Sequence, residues 1–433
     1  MHFSTKLVFI CTALLISSCS WFDGLFEEEE IKLPGLREKV FEIQEKQVLR
    51  SELKVSLPLP KEIDNWAQTN QNPLNHIFHF SGNNKDLNKK WSVNIGEGEK
   101  KGKPYLATPV VYKNIVFTIS NDSKLQARNF SNGGLIWAKI LKEEEKENIN
   151  FSGGLSVSEN ILIVSTGLGN VYALDYKTGN QLWKKNLLTQ ISAPPATFNK
   201  KIFLTTDDNQ LLVLALLNGN TLWTHSGDIE TVSIFGGVSP AVSNSNVFVT
   251  YTSGEIFALN EQNGNLLWDL NLNSDSQFNE ILISDIQSPA TIVNNTLFVS
   301  NSSGKIASID VIDGEKNWEL DLFTISPIVV SGEFIFLLTT ENILYCLSKI
   351  DGKVVWASQL KRKKKEQIFW VGPLLTSYKL ILASSEGTIL SLSPFTGEIL
   401  SSKKIDEGVN IQPIQSGKSI FFVTKKGNLL AFE

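Results

Sequence analysis

Few side chains in this sequence have the type and spacing to do chemistry. A thiol can be acylated, oxidised or bound to a metal, and the chain has three, Cys11, Cys19 and Cys346. With four histidines beside them, there is little material for a zinc cluster or a disulfide framework. His76 and His79 stand three apart, a spacing that metal sites on helices use. No carboxylate or cysteine follows at ligand spacing, so a packed or solvated pair of rings is expected. Lys361, Arg362, Lys363, Lys364 and Lys365 form a basic run between two predicted strands. It reads as a solvated loop, with contact to an acidic partner or anionic lipid heads as the alternative. Asp122, Asp175, Asp207, Asp310 and Asp351 fall at predicted strand ends, where carboxylates satisfy turns more often than they catalyse. There is no Gly-rich phosphate loop, no nucleophile elbow and no His beside a Ser or Cys pattern. A net charge of −5, with only four Arg among 40 basic residues, argues against nucleic acid as a partner.

The remaining thiol with a distinct context is Cys19. Lys6 precedes the apolar run Leu7 to Ile16, and Ser17, Ser18 and Cys19 follow it. About ten apolar residues cannot cross ~30 Å of hydrocarbon, so residues 1–18 read as a cleaved export signal rather than an anchor. The run ISSC resembles the lipobox of bacterial lipoproteins, which implies that Cys19 is acylated and becomes the mature N-terminus. Ser20 in the next position, where Asp would retain the protein, implies sorting to the outer membrane. Each buried CH₂ contributes about 0.8 kcal/mol, so several acyl chains would hold the protein on a bilayer without a spanning helix. No later stretch has 18 consecutive apolar residues. Cys346, in LYCLS, is then left without a partner and is expected to be a small buried strand residue.

What must position everything else is a repeat. Glycine lies four residues before tryptophan in GGLIW, GNQLW, GNTLW, GNLLW, GEKNW and GKVVW, ending at Trp137, Trp183, Trp223, Trp268, Trp318 and Trp356. KKWSVNI supplies Trp91 without its turn, and GEILS has Ser401 in place of Trp. From 91 to 401 the mean period is about 44 residues, the length of a four-stranded propeller blade. A middle strand also recurs eight times, as LQARN, VYALD, LLVLA, IFALN, IASID, LYCLS, ILSLS and LLAFE. The fold class expected is all-β: an eight-bladed β-propeller of four-stranded antiparallel blades. The chain opens on a Trp-type outer strand and ends on inner strands that lack one, so pairing of the two ends should close the ring and remove its free edges. Trp21, Trp66 and Trp370 stand outside the pattern, and the blade marked by Ser401 should be the least tightly packed.

The pattern AxDxxTGxxxW resembles the pyrroloquinoline-quinone-like repeat, found both in quinoprotein dehydrogenases and in the BamB family of outer-membrane β-barrel assembly lipoproteins. The resemblance covers residues 66–433. Dehydrogenases of this kind hold quinone and Ca²⁺ with an adjacent-cysteine disulfide, acidic and Asn ligands, an Arg and a catalytic Asp. Here no cysteines are adjacent, Arg128 is the only Arg within a blade strand, and no carboxylates cluster as a Ca²⁺ site wants. No cofactor and no metal are therefore expected.

The BamB branch is favoured by the lipobox with an acidic tether and by the lead-in NWAQTNQNPLNHIFHF. Two interblade connections also point to it: VSIFG running to Pro240, and the segment from Glu280 to Gln287 running to Pro289. The resemblance implies that these connections dock on the POTRA domains of BamA, with Val232 and Ile234 as apolar contacts and Asp285 as an acidic one. Phe235 stands where the enterobacterial form has Arg, and Gln287 where it has a second Asp. The stretch from Trp268 to Pro289 is long for a connection, and exposed apolar residues at such a loop suit a protein contact. The expected organisation is a signal peptide (1–18), a flexible lipid-anchored tether (19–65) and the propeller (66–433).

The expected role is a non-enzymatic subunit of the outer-membrane β-barrel assembly (BAM) complex, on the periplasmic face of the outer membrane and monomeric within the complex. Unfolded outer-membrane proteins are possible further partners. The alternatives are a quinone-dependent dehydrogenase and a periplasmic binding propeller with another partner.

Overall fold

The computed structural model describes residues 51–82, 87–99, 107–141, 153–228, 237–272, 288–301, 304–361 and 368–433. They fall within the second of two compact units, 48–433. Their 32 strands form eight four-stranded antiparallel sheets, with no helix among the described residues. Blades 1 to 7 occupy residues 110–140, 153–186, 196–226, 241–271, 291–321, 329–359 and 370–404, each laid down from an inner to an outer strand. Blade 8 is composite: Ile414–Ser416, Ser419–Val423 and Asn428–Phe432 are its inner three strands, and Lys89–Asn94 from the start of the ring is its outer one. Trp91 faces Ala431 across that junction, so the ring closes as the strand order predicts.

Each blade is a transverse row of side chains. In blade 1, Val110 pairs with Phe117, Phe117 with Ala127, and Ala127 with Trp137. Blade 6 repeats it as Val329, Phe336, Cys346 and Trp356. A small residue always separates the two rings or stands beside the indole: Ala, Val, Ser or Cys faces each Trp. That is why a cysteine occurs at 346, where it is fully buried and unpaired in any disulfide. Burial drives its thiol far above the ordinary cysteine range, so it is an inert packing group.

The tryptophans join one blade to the next. The indole of each lies against the turn glycine of the following blade: Trp91 on Gly133, Trp137 on Gly179, Trp183 on Gly219, Trp223 on Gly264, Trp268 on Gly314, Trp318 on Gly352 and Trp356 on Gly397. A Cβ on any of these glycines would fall 2.5 to 3.0 Å from the ring, and all seven have φ between +68° and +77°. Glycine is required there twice over, for the backbone angle and for the close approach. Six of the seven indoles donate Nε1–H to the carbonyl three residues before that glycine, for example Trp356 to Pro394 O at 2.9 Å. At the eighth seam no hairpin turn faces the indole position, because the third and outer strands of blade 8 are not consecutive in sequence and meet through the paired backbones of Asn88 and Glu433. Ser401 therefore has no glycine to cover. A cavity of about 150 Å³ runs along this seam, lined by Ser92, Lys403, Glu407, Leu430 and Phe432 among others.

The lead-in segment does not stand off as a tether up to residue 65. Already at Ser51 the chain is bonded to Val355 O (2.8 Å), and Pro58 lies against Gly332. From Ile63 it then makes one circuit of the inner strands in blade order. Ile63 and Asp64 accept from Gly417 and Ser416 of blade 8; Trp66 exchanges two backbone bonds with Val111 of blade 1; Ala67 accepts from Val157 of blade 2. Gln68 meets Thr197 of blade 3, Pro73 and Leu74 accept from Val242 and Ile292 of blades 4 and 5, and His76 reaches Val330 O of blade 6. Phe80 pairs with Leu375 and Ser377 of blade 7, and Ser81 returns to Gln415 of blade 8. The loop closes on itself through Lys61, which bonds both His79 and Ser81.

Candidate functional site at the connector end of the ring

Antiparallel strands laid down from inside to outside give the ring two unlike ends. The turns joining the first to the second strand and the third to the outer strand lie at one end, with the circuit of 61–82. The blade connectors and the turns between second and third strands lie at the other.

The two long connections predicted as a docking surface leave from this second end, on either side of blade 4. Val232, Ile234, Phe235, Asp285 and Gln287 lie outside the described residues, as does Cys19. The structure describes the roots. The first connection leaves at Asp228 and returns at Gly237. Asn209, in a turn of blade 3, holds its base: its amide donates to Asp228 O (2.7 Å), while its oxygen accepts from Thr252 N and Oγ1 of blade 4 (3.2 and 3.0 Å). Glu255 accepts from Asp228 N at 3.2 Å. Gly227 packs against Tyr251, where any Cβ would collide at 2.3 Å, and the Tyr251 hydroxyl meets His225 Nδ1 at 3.0 Å. The second connection leaves at Leu272, whose amide bonds Gly254 O (3.2 Å), and returns at the buried Ser288, whose hydroxyl donates to Ser326 O (2.9 Å). The described roots of both connections are thus fixed, in adjacent gaps of the ring.

Across the same end, blades 6, 7 and 8 border a cleft of about 520 Å³, lined by Leu338, Trp370, Ile411 and Gln412 among others. Ile325 and Phe369, each about half exposed, stand at its mouth. Trp370 donates to Lys361 O at 3.3 Å, so this non-repeat tryptophan braces the connector that carries the basic run. Of that run only Lys361 is among the described residues, and it is exposed.

The other sequence candidates resolve into structure. His76 and His79 are packed, each against a backbone carbonyl of a different blade, Val330 O (3.0 Å) and Ser377 O. Burial is the main cause holding both rings below the ordinary histidine pKa. Asp175 accepts from Lys177 N, Thr178 N and Thr178 Oγ1, and Asp310 from Ile312 N, as turn carboxylates do. Asp207 takes both Ser192 N and Oγ.

Among the described residues, those present do not fit a quinone and calcium pair. Arg128 is engaged by Gln126 Oε1, Gly133 O and Asn94 O at 2.8 to 2.9 Å, clamping blade 1 to the closing strand. Cys346 stands alone, and among the described residues no three His, Cys, Asp or Glu side chains gather as a metal site. What the sequence reading missed is the circuit of 61–82. Its signal was there as six carboxamides between Asn65 and Asn75, more than a solvated loop needs.

A closed ring of eight blades, seven of its eight seams filled by an indole on a turn glycine, defines a β-propeller of the pyrroloquinoline-quinone-like repeat class. Within that class, the family model described as "Outer membrane protein assembly factor BamB" matches residues 121–358 and 352–433. The chain belongs to the BamB family. It is 22% identical over 350 residues to outer membrane protein assembly factor BamB of Moranella endobia, covering 79% of this chain and 89% of that one. It is 23% identical over 346 residues to BamB of Escherichia coli, covering 78% and 87%. BamB from Moraxella catarrhalis superposes with a TM-score of 0.69 at 16% identity, over all of that chain and 80% of this one. A quinohemoprotein alcohol dehydrogenase from Comamonas testosteroni has a similar fold, with a TM-score of 0.70 at 12% identity, over 85% of this chain and 80% of that one.

Proposed function

We propose that this chain is a non-enzymatic subunit of the machinery that assembles β-barrel proteins in the outer membrane. In this reading Cys19 carries the lipid that holds it to the periplasmic face of that membrane after residues 1–18 are removed. The two connections flanking blade 4 dock on the POTRA domains of a BamA-like barrel protein, with Val232, Ile234 and Phe235 as the apolar contacts and Asp285 and Gln287 across from them. The observation that carries the reading is the family match over 121–433, which includes both connections and their roots. The fixed bases at Asp228 and Ser288 support it, because a loop that must meet a partner in register needs a rigid footing. The replacement of polar family residues by Phe235 and Gln287 makes this contact more apolar than in the enterobacterial form.

The test is recovery of a large POTRA-bearing barrel protein with this chain from detergent-solubilised membranes. Ile234→Asp or Phe235→Asp should weaken that recovery several-fold with little change in melting temperature, since an exposed hot-spot contact contributes to binding rather than to folding. A large fall in melting temperature would show the loop to be core. Absence of such a barrel protein from the wild-type eluate would sink the reading. Cys19→Ala should move the protein from the membrane to the soluble fraction.

A further inference from the structure

The circuit of residues 61–82 touches all eight blades, and it does so through the one edge of each sheet that faces the ring axis and has no partner strand. We propose that these inner edges form a peptide-binding surface at the turn end of the ring, and that 61–82 is its ligand, held in cis. The bound segment, rather than the closing strand Lys89–Asn94, then carries the link between the ring and the chain that precedes it.

The ligand class is an extended peptide rich in carboxamides, and the chemistry of the contacts shows why. Gln68 reads Thr197 as a second strand would, Nε2 to its carbonyl and Oε1 from its amide, both at 2.9 Å. Asn75 Nδ2 spans two blades, donating to Ser239 O (3.0 Å) and Ala290 O (3.1 Å), while its Oδ1 accepts from Asn70 Nδ2 (3.2 Å). Only a side chain with both a donor and an acceptor can do this on a bare strand edge. Gln68, Asn70 and Asn75 are all buried, and Trp66 stacks on Phe80 (5.6 Å between ring centres) with both wholly excluded from solvent.

The closing strand is an outer strand, held to its blade by one ladder, and it begins seven residues after Gly82. A pull from the N-terminal side would unzip such a strand one bond at a time. With 61–82 seated, the same pull must first shear contacts to eight blades. The segment also occupies the inner edges at the turn end of the ring. The inference stands without the BamA-docking reading.

The test severs the link in the folded full chain. A protease site is inserted between Gly82 and Leu87, and an affinity tag is placed on the N-terminal side of Ser51. After cleavage in native buffer the ring should stay on the affinity resin with the tagged segment, and elute only in denaturant. A ring that appears in the flow-through overturns the proposal. In the cleaved protein, Gln68→Ala with Asn75→Ala should speed release of the ring at least about tenfold, as loss of several buried hydrogen bonds requires; an unchanged rate would deny the carboxamides their role. If the insertion blocks folding, hydrogen exchange on the unaltered chain decides. The amides of Val111, Val157, Val242, Ile292 and Gly417, which donate to the segment, should exchange as slowly as those of the second strand of each blade. Exchange at the rate of an open edge overturns the proposal.

Discussion

The ring of Trp356 occupies the space that a Cβ on Gly397 would need: the added atom would lie 2.6 Å from the indole Cε3. The indole cannot retreat easily, because its Nε1–H is bonded to Pro394 O in the same turn. Gly397→Ala therefore carries two costs, the unfavourable φ of +72° and the clash. Gly304 separates them, since its φ is +94° but nothing among the described residues lies within 4 Å of its added Cβ. Gly304→Ala should destabilise by about 1 kcal/mol, and Gly397→Ala by clearly more. Denaturant midpoints measure both; equal losses would show that the indole moves aside freely.

Trp223 differs from the other anchors by one hydrogen bond. Its Nε1–H has no acceptor, and the carbonyl in the corresponding place, Glu261 O, takes Lys201 Nζ at 3.0 Å instead. Trp356→Phe loses a buried hydrogen bond as well as ring area; Trp223→Phe loses area alone. The first should be more destabilising than the second by about 0.5–1.5 kcal/mol. Equal effects in urea unfolding would mean that the indole donors contribute nothing at the seams.

The eight blades were legible because each repeat is locally complete: a glycine, a tryptophan four residues later and a small residue opposite it recur without reference to distant sequence. Closure by Lys89–Asn94 was legible from the order of the copies. The exception at Ser401 could be seen but not explained, since its cause is a turn missing from the facing blade, which only the closed ring displays. In the sequence the circuit of 61–82 shows only as a lead-in and tether, because its partners lie far away; Gln68 and Thr197 are 129 residues apart and Asn75 and Ala290 are 215. Polar side chains that satisfy remote strand edges leave no periodic trace. The docking positions from Val232 to Gln287 came from connection length and family resemblance rather than from any local rule of folding.

Restoring the repeat at Ser401 should not help. An indole is held at the other seams by a glycine cradle, and at six of those seven by a carbonyl too, whereas blade 8 offers the paired backbones of Asn88 and Glu433 there instead. Lys403, two residues on, already reaches Leu87 O and covers the Phe432 ring at 5.6 Å. Ser401→Trp is expected to be neutral or to cost about 1–3 kcal/mol through overpacking. A rise in melting temperature would show that the 150 Å³ seam cavity can adapt to the ring.

Acid should loosen the circuit and the outer strand of blade 3. His76, His79 and His225 are each held below the ordinary histidine pKa, in every case chiefly by burial; Lys61 adds to the effect at His76, and Glu255 opposes it at His225. A histidine with a depressed folded pKa takes up its proton in the unfolded chain first. Its contribution to stability is therefore complete above about pH 6.5 and is lost as the pH falls through 6.5 toward the folded value. The melting temperature should fall between pH 7.5 and 5.5, a window above the ordinary titration of exposed carboxylates. Replacing His76 and His79 by Gln keeps a donor for Val330 O and Ser377 O while removing the charge change, so the double variant should show a flatter profile. An unaltered slope would assign the acid sensitivity to other groups.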